Sequence, residues 1–147
     1  MTIHILYETY SSSTTAVVEI VEQELKAKGH DVKISLMGEC MNFMDDLADL
    51  VIFATPSWFD RGIEGQPHMA FLAYMDDHTD ADFSALNCAF IGLGDSSYAH
   101  FCLAIDTLED FFTKRGARSV GAALKLDSFQ LNPVPETEKL HAWISLL

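Results

Sequence analysis

Residues 88–93 read Cys-Ala-Phe-Ile-Gly-Leu, a short run without a polar side chain that decides the fold class. A run of this length and character is typical of a strand that is buried on both faces of a parallel sheet. It has a counterpart upstream in residues 50–54, Leu-Val-Ile-Phe-Ala. Two such runs, separated by a segment with helical spacing, predict a sheet that is covered by helices on both sides.

The rest of the chain alternates between strand-like and helix-like segments. Strands are predicted at residues 3–7, 32–36, 50–54, 88–93 and 120–126, and helices at 14–28, 67–75, 101–112 and 135–147. Gly29 and Gly116 are placed to end two of the helices, and Pro135 is placed to begin the last one. The pattern predicts one α/β domain, residues 1–147, with a doubly wound five-stranded parallel sheet and helices on both faces.

Composition excludes several classes of function. The formal charge of −13, from 22 acidic and nine basic side chains, disfavours nucleic acid and anionic membranes and attracts basic protein surfaces. No apolar stretch reaches membrane-spanning length, and we expect no signal peptide. Three widely spaced cysteines without a CxxC motif predict neither a disulfide scaffold nor a zinc site, and the six histidines show no ligand spacing. We therefore expect a cytoplasmic protein without a bound metal.

In a sheet of this kind, ligands bind beyond the carboxyl ends of the strands, at the loops after the first, third and fourth strands. The first loop, residues 9–14, carries six hydroxyl groups and no Lys or Arg: Thr9, Tyr10, Ser11, Ser12, Ser13 and Thr14. Free backbone N–H groups at a helix N-terminus attract an anion, and hydroxyls add donors for a phosphate. Neither GxxxxGK[ST] nor GxGxxG is present. Taken alone, the loop is equally compatible with a simple helix N-cap.

The third loop, residues 93–102, and the preceding glycine read GLGDSSYAHFC, and the second loop, residues 55–62, contains Pro56-Ser57-Trp58-Phe59-Asp60. These motifs resemble the flavodoxin family, in which the third loop surrounds the isoalloxazine ring and the first holds the phosphate. The resemblance covers nearly the whole chain and is that of a short-chain member. It implies strand order 2-1-3-4-5. It also implies a low-potential one-electron carrier with non-covalently bound FMN, which is not itself an enzyme.

The resemblance implies roles for individual residues. Trp58 and Tyr98 are expected to stack on the two faces of the flavin, and Asp95 to accept a hydrogen bond from flavin N3–H. Asp95 is alternatively a helix N-cap, or serves in both ways. Gly94 is expected to let the backbone approach the ring, and Cys102 to contribute backbone or packing without redox chemistry. The implied FMN-binding residues are Thr9, Tyr10, Ser11, Ser12, Ser13, Thr14, Pro56, Ser57, Trp58, Phe59, Asp60, Leu93, Gly94, Asp95, Tyr98, Phe101 and Cys102.

Two residues depart from the family pattern. Ser12 stands where family members have Gly, and its Cβ costs on the order of 1 kcal/mol if the backbone there has positive φ. Phe59 stands where many short-chain members have a small residue, often Gly. In those members a peptide turns its carbonyl toward the flavin on one-electron reduction, and a bulky residue is expected to make that turn harder.

The implied partners are a reductase and acceptor enzymes with basic surfaces, and we expect a monomer. Three alternatives stay open at this point. An FMN-dependent quinone or nitro-type reductase would need a substrate pocket above the flavin. A degenerate interaction module would have lost FMN, with Ser12 as its sign. A response-regulator receiver domain is the weakest, because only Glu8 closes the first strand and Thr55-Pro56 ends the third.

Overall fold

The computed structural model describes residues 1–60 and 62–147, and for Asp60 it describes the backbone only. The elements are β1 (Thr2–Tyr7), α1 (Ser13–Ala27), β2 (Asp31–Leu36), β3 (Leu50–Pro56), β4 (Trp58–Asp60), β5 (Ile63–Gln66), α2 (Met69–Asp77), β6 (Asn87–Gly94), α3 (Leu103–Thr113), β7 (Arg118–Ser119), β8 (Leu124–Asp127) and α4 (Pro133–Ile144). Two short 3-10 helices, Met37–Glu39 and Phe43–Asp46, lie between β2 and β3. None of the helices in the described part of the chain is long and apolar enough to cross a membrane.

The main sheet is parallel and runs β2-β1-β3-β6, with β7 and β8 both pairing with β6 on its far side. Together β7 and β8 occupy the position of one fifth strand. The predicted α/β fold with strand order 2-1-3-4-5 is therefore confirmed. At the centre of the sheet, Ile52 pairs with Ile5 on one side and with Ala89 on the other.

Hydrophobic cores lie on both faces of the sheet because successive strand residues point in opposite directions. Ile52 belongs to the core that α1 and α4 cover. Its neighbour Phe53 belongs to the opposite core, where its ring stacks on Phe112 of α3 with 4.4 Å between centroids. This packing fixes the sheet between two helical layers, so the loops at the carboxyl ends of the strands share one edge.

The end of α1 follows the prediction that Gly29 stops the helix. Gly29 has φ 89°, its N–H donates to the carbonyl of Lys26 at 2.9 Å, and the N–H of His30 donates to that of Leu25 at 3.1 Å. These two bonds satisfy carbonyl groups that the helix end leaves without intrahelical partners.

The predicted continuous strand at residues 120–126 is wrong. Val120 still donates its N–H to the carbonyl of Cys88 on β6 at 2.7 Å, and residues 121–123 then leave the sheet, because Gly121 turns the backbone with φ 71°. The carbonyl of Ala122 accepts a hydrogen bond from Nε1 of Trp143 at 2.9 Å instead of joining the ladder.

Other elements also differ from the prediction. Helix α4 begins at Pro133 rather than Pro135, and the first proline suits the first helical position because it lacks an N–H. Helix α3 begins at Leu103 rather than Phe101, because Cys102 has φ 52°. An antiparallel pair that was not predicted, β4–β5, begins in the second loop and extends beyond it.

Candidate functional site

A cavity of about 470 Å³ opens at the carboxyl edge of the sheet. Its walls come from the three loops that the sequence singles out, from β5 and from a fourth loop, residues 128–131. The lining residues are Ser11, Ser13, Pro56, Ser57, Trp58, Phe59, Glu64, Gly65, Leu93, Gly94, Asp95, Tyr98, His100, Phe101, Cys102, Ser128, Phe129, Gln130 and Leu131. A volume of this size is typical of a small-molecule site, and its position between β1 and β3 is the switch point of a doubly wound sheet.

The first loop ends in a left-handed residue. Ser12 is the N-cap of α1 with φ 68°, and its N–H donates to Oγ1 of Thr9 at 2.9 Å. The turn places Ser11 and Ser13 at the cavity. The positive φ considered for Ser12 from the family pattern is therefore present, and its Cβ is strained.

Ser12→Gly should raise the free energy of unfolding by about 0.5–1 kcal/mol, because glycine adopts positive φ without a Cβ clash. Urea unfolding of the protein without added ligand measures this change. Ser11→Gly is the matched control, since Ser11 has no positive φ and glycine there should lower stability by about 0.4–1 kcal/mol. Equal losses in both variants would contradict the strain at Ser12.

Thr14 leaves a buried hydroxyl without a partner. Its side chain is 1% exposed, and its Oγ1 has no hydrogen bond among the described residues. The first turn of α1 contains no acidic residue, and the N–H groups of a first helical turn lack intrahelical acceptors. An anion at this helix end would satisfy both the N–H groups and the hydroxyl.

Tyr10 contacts the second loop. Its ring stacks on His68 with 4.2 Å between centroids and lies 4.9 Å from the ring of Trp58. Its hydroxyl accepts a hydrogen bond from the N–H of Met69 at 3.2 Å. Tyr10 therefore packs behind Trp58, whereas its sequence neighbours in the first loop surround the helix end.

The second loop presents two exposed aromatic rings to the cavity. Trp58 is 46% exposed and Phe59 is 64% exposed, and both lie on β4, where Trp58 pairs with Gln66 of β5. Ser57 fastens the loop, since its N–H donates to the carbonyl of Leu93 at 2.8 Å and its Oγ accepts from the N–H of Ala104 at 3.1 Å. The side chain of Asp60 lies outside the described residues. The effect of Phe59 on the peptide turn stays a prediction.

The third loop is closed by Asp95. Its Oδ1 accepts hydrogen bonds from the N–H and the Oγ of Ser97, at 2.8 and 2.6 Å, and its carbonyl accepts from the N–H of Tyr98 at 3.1 Å. The alternative in which Asp95 caps the following helix is wrong, because Cys102 is the N-cap of α3. Asp95 therefore stabilises a turn at the cavity. Tyr98 lies on this turn, and its side chain is 62% exposed.

Cys102 and Gly94 pack against each other beneath the third loop. Cys102 is fully buried, and burial raises the pKa of its thiol to about 12. A Cβ on Gly94 would lie 3.0 Å from the Cys102 Sγ and 3.1 Å from its backbone nitrogen. A side chain at position 94 would therefore require Cys102 to shift by a few tenths of an ångström, and the approach of the backbone to the flavin at Gly94 stays a prediction.

The fourth loop was not predicted as part of the site. The N–H of Ser128 donates to the carbonyl of Gly94 at 2.7 Å, and Nε2 of Gln130 donates to the carbonyl of Ser11 at 3.3 Å. The fourth loop therefore links the third loop to the first. Only the position of this loop in the sequence could have indicated that it belongs to the site, because it follows the carboxyl end of the fifth strand.

Three more residues that line the cavity were not predicted from the sequence: Glu64, Gly65 and His100. The N–H of His100 donates to Oε1 of Glu64 at 3.1 Å, which joins β5 to the third loop. The unpredicted β4–β5 pair brings Glu64 and Gly65 to the cavity.

Known proteins resemble the chain over nearly its full length. The family model described as Flavodoxin matches residues 5–143. A probable flavodoxin 2 of Bacillus subtilis (strain 168) is 32% identical over 138 residues, which cover 92% of this chain and 85% of that protein.

Two solved structures share the fold. Oxidised flavodoxin 2 from Bacillus cereus has a TM-score of 0.86 at 24% identity, covering 99% of this chain and 97% of that one. The flavodoxin of Fusobacterium nucleatum bound to flavin mononucleotide has a TM-score of 0.81 at 22% identity, covering 98% and 95%.

Proposed function

Because the chain belongs to the flavodoxin family of FMN-binding electron carriers, we propose that it is a low-potential one-electron carrier between a reductase and acceptor enzymes. The observation that supports the proposal best is the shape of one cavity. Two exposed aromatic rings, Trp58 and Tyr98, border it, and Ser11 and Ser13 at the N-terminal end of α1 line it as well.

The residues at the helix end fit the phosphate of FMN. The orphaned Oγ1 of Thr14 and the first-turn N–H groups of α1 are donors that a phosphate would satisfy. Ser11 and Ser13 line the same cavity, and their hydroxyls would add donors for the phosphate oxygens. This end of the site would hold the phosphate without a cation.

The residues of the second and third loops fit a flat aromatic ring. Trp58 and Tyr98 would stack on it and exclude water from it. Asp95 uses Oδ1 for its own turn, so Oδ2 is the atom we assign to a ring N–H. FMN supplies the redox chemistry when bound, and the protein binds it, orients it and tunes its potential.

The charge of the protein supports a low potential and basic partners. Reduction adds negative charge to the flavin, and a formal charge of −13 disfavours that addition. The reduced carrier should therefore be a strong electron donor. The same field would draw partners with basic docking surfaces. We further propose that residues 1–147 act as one monomeric domain in the reducing cytoplasm.

The first test is FMN titration of the FMN-free protein, followed by flavin fluorescence. One tightly bound FMN with quenched fluorescence is expected, because stacked rings quench the flavin. A protein that does not bind FMN would refute the carrier proposal and favour the alternative of an interaction module. Oxidation of NADPH by the purified holoprotein alone would favour the reductase alternative.

Electron transfer to a basic haem protein should slow as salt is added. Since charges on the two surfaces are screened, we expect the second-order rate to fall about tenfold or more between about 10 mM and 500 mM NaCl. Stopped-flow absorbance measures this rate. An uncharged quinone as acceptor is the control and should show little salt dependence. A rate to the haem protein that salt leaves unchanged would exclude electrostatic docking.

A further inference from the structure

His68 connects the aromatic wall of the cavity to a buried carboxylate. It is the N-cap of α2, where its Nδ1 accepts a hydrogen bond from the N–H of Ala70 at 3.1 Å. Its Nε2 lies 3.8 Å from Oε2 of Glu8, and the two side chains are 13% and 10% exposed. Its ring stacks on Tyr10, which packs against Trp58.

The hydrogen bonds define the protonation state of His68. An Nδ1 that accepts the Ala70 N–H carries no proton, so the ring is neutral with its proton on Nε2, facing Glu8. Burial lowers the pKa of His68 below its ordinary 6.5, and the nearby Glu8 acts in the opposite direction.

Other elements that pack on the ring or its backbone contribute neutral groups or a dipole. Tyr10 presents its ring, and Oγ1 of Thr55 on β3 accepts the His68 N–H at 3.2 Å. The positive end of α2 disfavours a cation at its N-cap. Glu8 is therefore the one group described here that favours a charged His68.

We propose that His68 is a positioning residue for the flavin site, whose neutral form acts through Tyr10 to hold Trp58 at the cavity. The proposal rests on the proposed function, because it takes Trp58 as a ring that contacts FMN. Protonation of Nδ1 would point a donor at the Ala70 N–H, break the helix cap and draw the ring toward Glu8. Tyr10 would then lose its stacking partner, and Trp58 would lose the packing behind it.

FMN affinity should therefore fall as the pH is lowered. If FMN binding favours neutral His68, it lowers the histidine pKa further. Affinity is then full above the pKa that His68 has in the FMN-free protein, which burial holds below 6.5, and it falls as the pH drops through that pKa. Each pKa unit of difference between free and bound protein is worth a factor of about ten in affinity. We expect the dissociation constant to rise about three- to tenfold between about pH 7 and pH 5 on this account.

Two substitutions distinguish the effect of the His68 ring from the effect of its protonation. His68→Phe keeps a stacking ring and cannot titrate, so its affinity should follow only the phosphate of FMN, whose own pKa is about 6. His68→Asn keeps an acceptor for the helix cap but loses the ring, so near pH 7, where the parent's His68 is neutral, it should bind FMN more weakly than the parent. Fluorescence titrations from pH 5 to 8 compare the three proteins. A His68→Phe variant with the parent's pH dependence, or a His68→Asn variant with the parent's affinity, would overturn the proposal.

A measurement on the unsubstituted, FMN-free protein distinguishes failure of this inference from failure of the proposed function. NMR can follow the imidazole of His68 and the indole N–H of Trp58 through the same pH range. We expect the Trp58 resonance to shift with the pKa of His68, while that of Trp143, buried in the core that α1 and α4 cover, stays constant. Independent titration of His68 and Trp58 would overturn the inference even if FMN binds. Coupled titration in a protein that does not bind FMN would refute the proposed function alone.

Discussion

Thr14→Val should weaken FMN binding and leave the FMN-free protein at least as stable as the parent. The hydroxyl of Thr14 is buried without a partner among the described residues. An unsatisfied group of this kind costs about 1–3 kcal/mol, which a methyl of similar shape would relieve. With FMN bound, the hydroxyl would donate to a phosphate oxygen, and a hydrogen bond to a charged group contributes about 1.5–3 kcal/mol. The substitution should thus favour the FMN-free protein and disfavour the FMN complex.

Calorimetric titration should show the dissociation constant of FMN rising about ten- to 150-fold in Thr14→Val, from the free energy of that bond. Urea unfolding reports the stability of the FMN-free protein. Thr15→Val is the matched control in the same helical turn and should change FMN affinity little. Riboflavin, which lacks the phosphate, should bind parent and variant equally. Loss of stability without loss of FMN affinity would show that the hydroxyl serves the fold rather than the phosphate.

The sequence predicts the sheet because its central strands carry a local signal. Residues 50–54 and 88–93 are apolar on both faces, and that pattern requires helices on both sides. The break between β7 and β8 has a weaker local signal, the single glycine at position 121. A bond from Trp143 to the carbonyl of Ala122, which lies 21 residues earlier in the chain, also holds this segment away from the sheet.

The features of the candidate site were likewise predictable from the sequence only in part. The positive φ of Ser12 was foreseeable, because glycine at that position of the family marks a left-handed turn. The place of Tyr10 was not, because it is set by stacking on His68, which lies in another loop. The fourth loop was missed because Gln130 reaches Ser11 across 119 residues of chain. Local pattern therefore identifies the loops at the cavity, whereas tertiary contacts decide which of their side chains reach it.

Removing either aromatic wall should give the second large effect on FMN binding. Alanine substitution of an aromatic residue that stacks on a base costs about 1–3 kcal/mol, and a flavin ring presents a comparable face. We therefore expect Trp58→Ala and Tyr98→Ala each to raise the dissociation constant of FMN about five- to 150-fold. The fluorescence of bound flavin should also increase. Both rings are exposed, so Tyr98→Ala should change the stability of the FMN-free protein by about 0.5 kcal/mol or less.

The double variant tests whether the two rings cover opposite faces of one ligand. Rings that share a ligand but not a contact should lose binding free energy additively, within about 0.5 kcal/mol. Trp58→Phe and Tyr98→Phe are the matched controls, because each keeps a flat ring and should retain most of the affinity. Phenylalanine variants as weak as the alanine variants would argue against stacking. If Trp58→Ala and the double variant bound FMN equally, Tyr98 would contribute no separate face to the site, because its removal would then change no contact with the ligand.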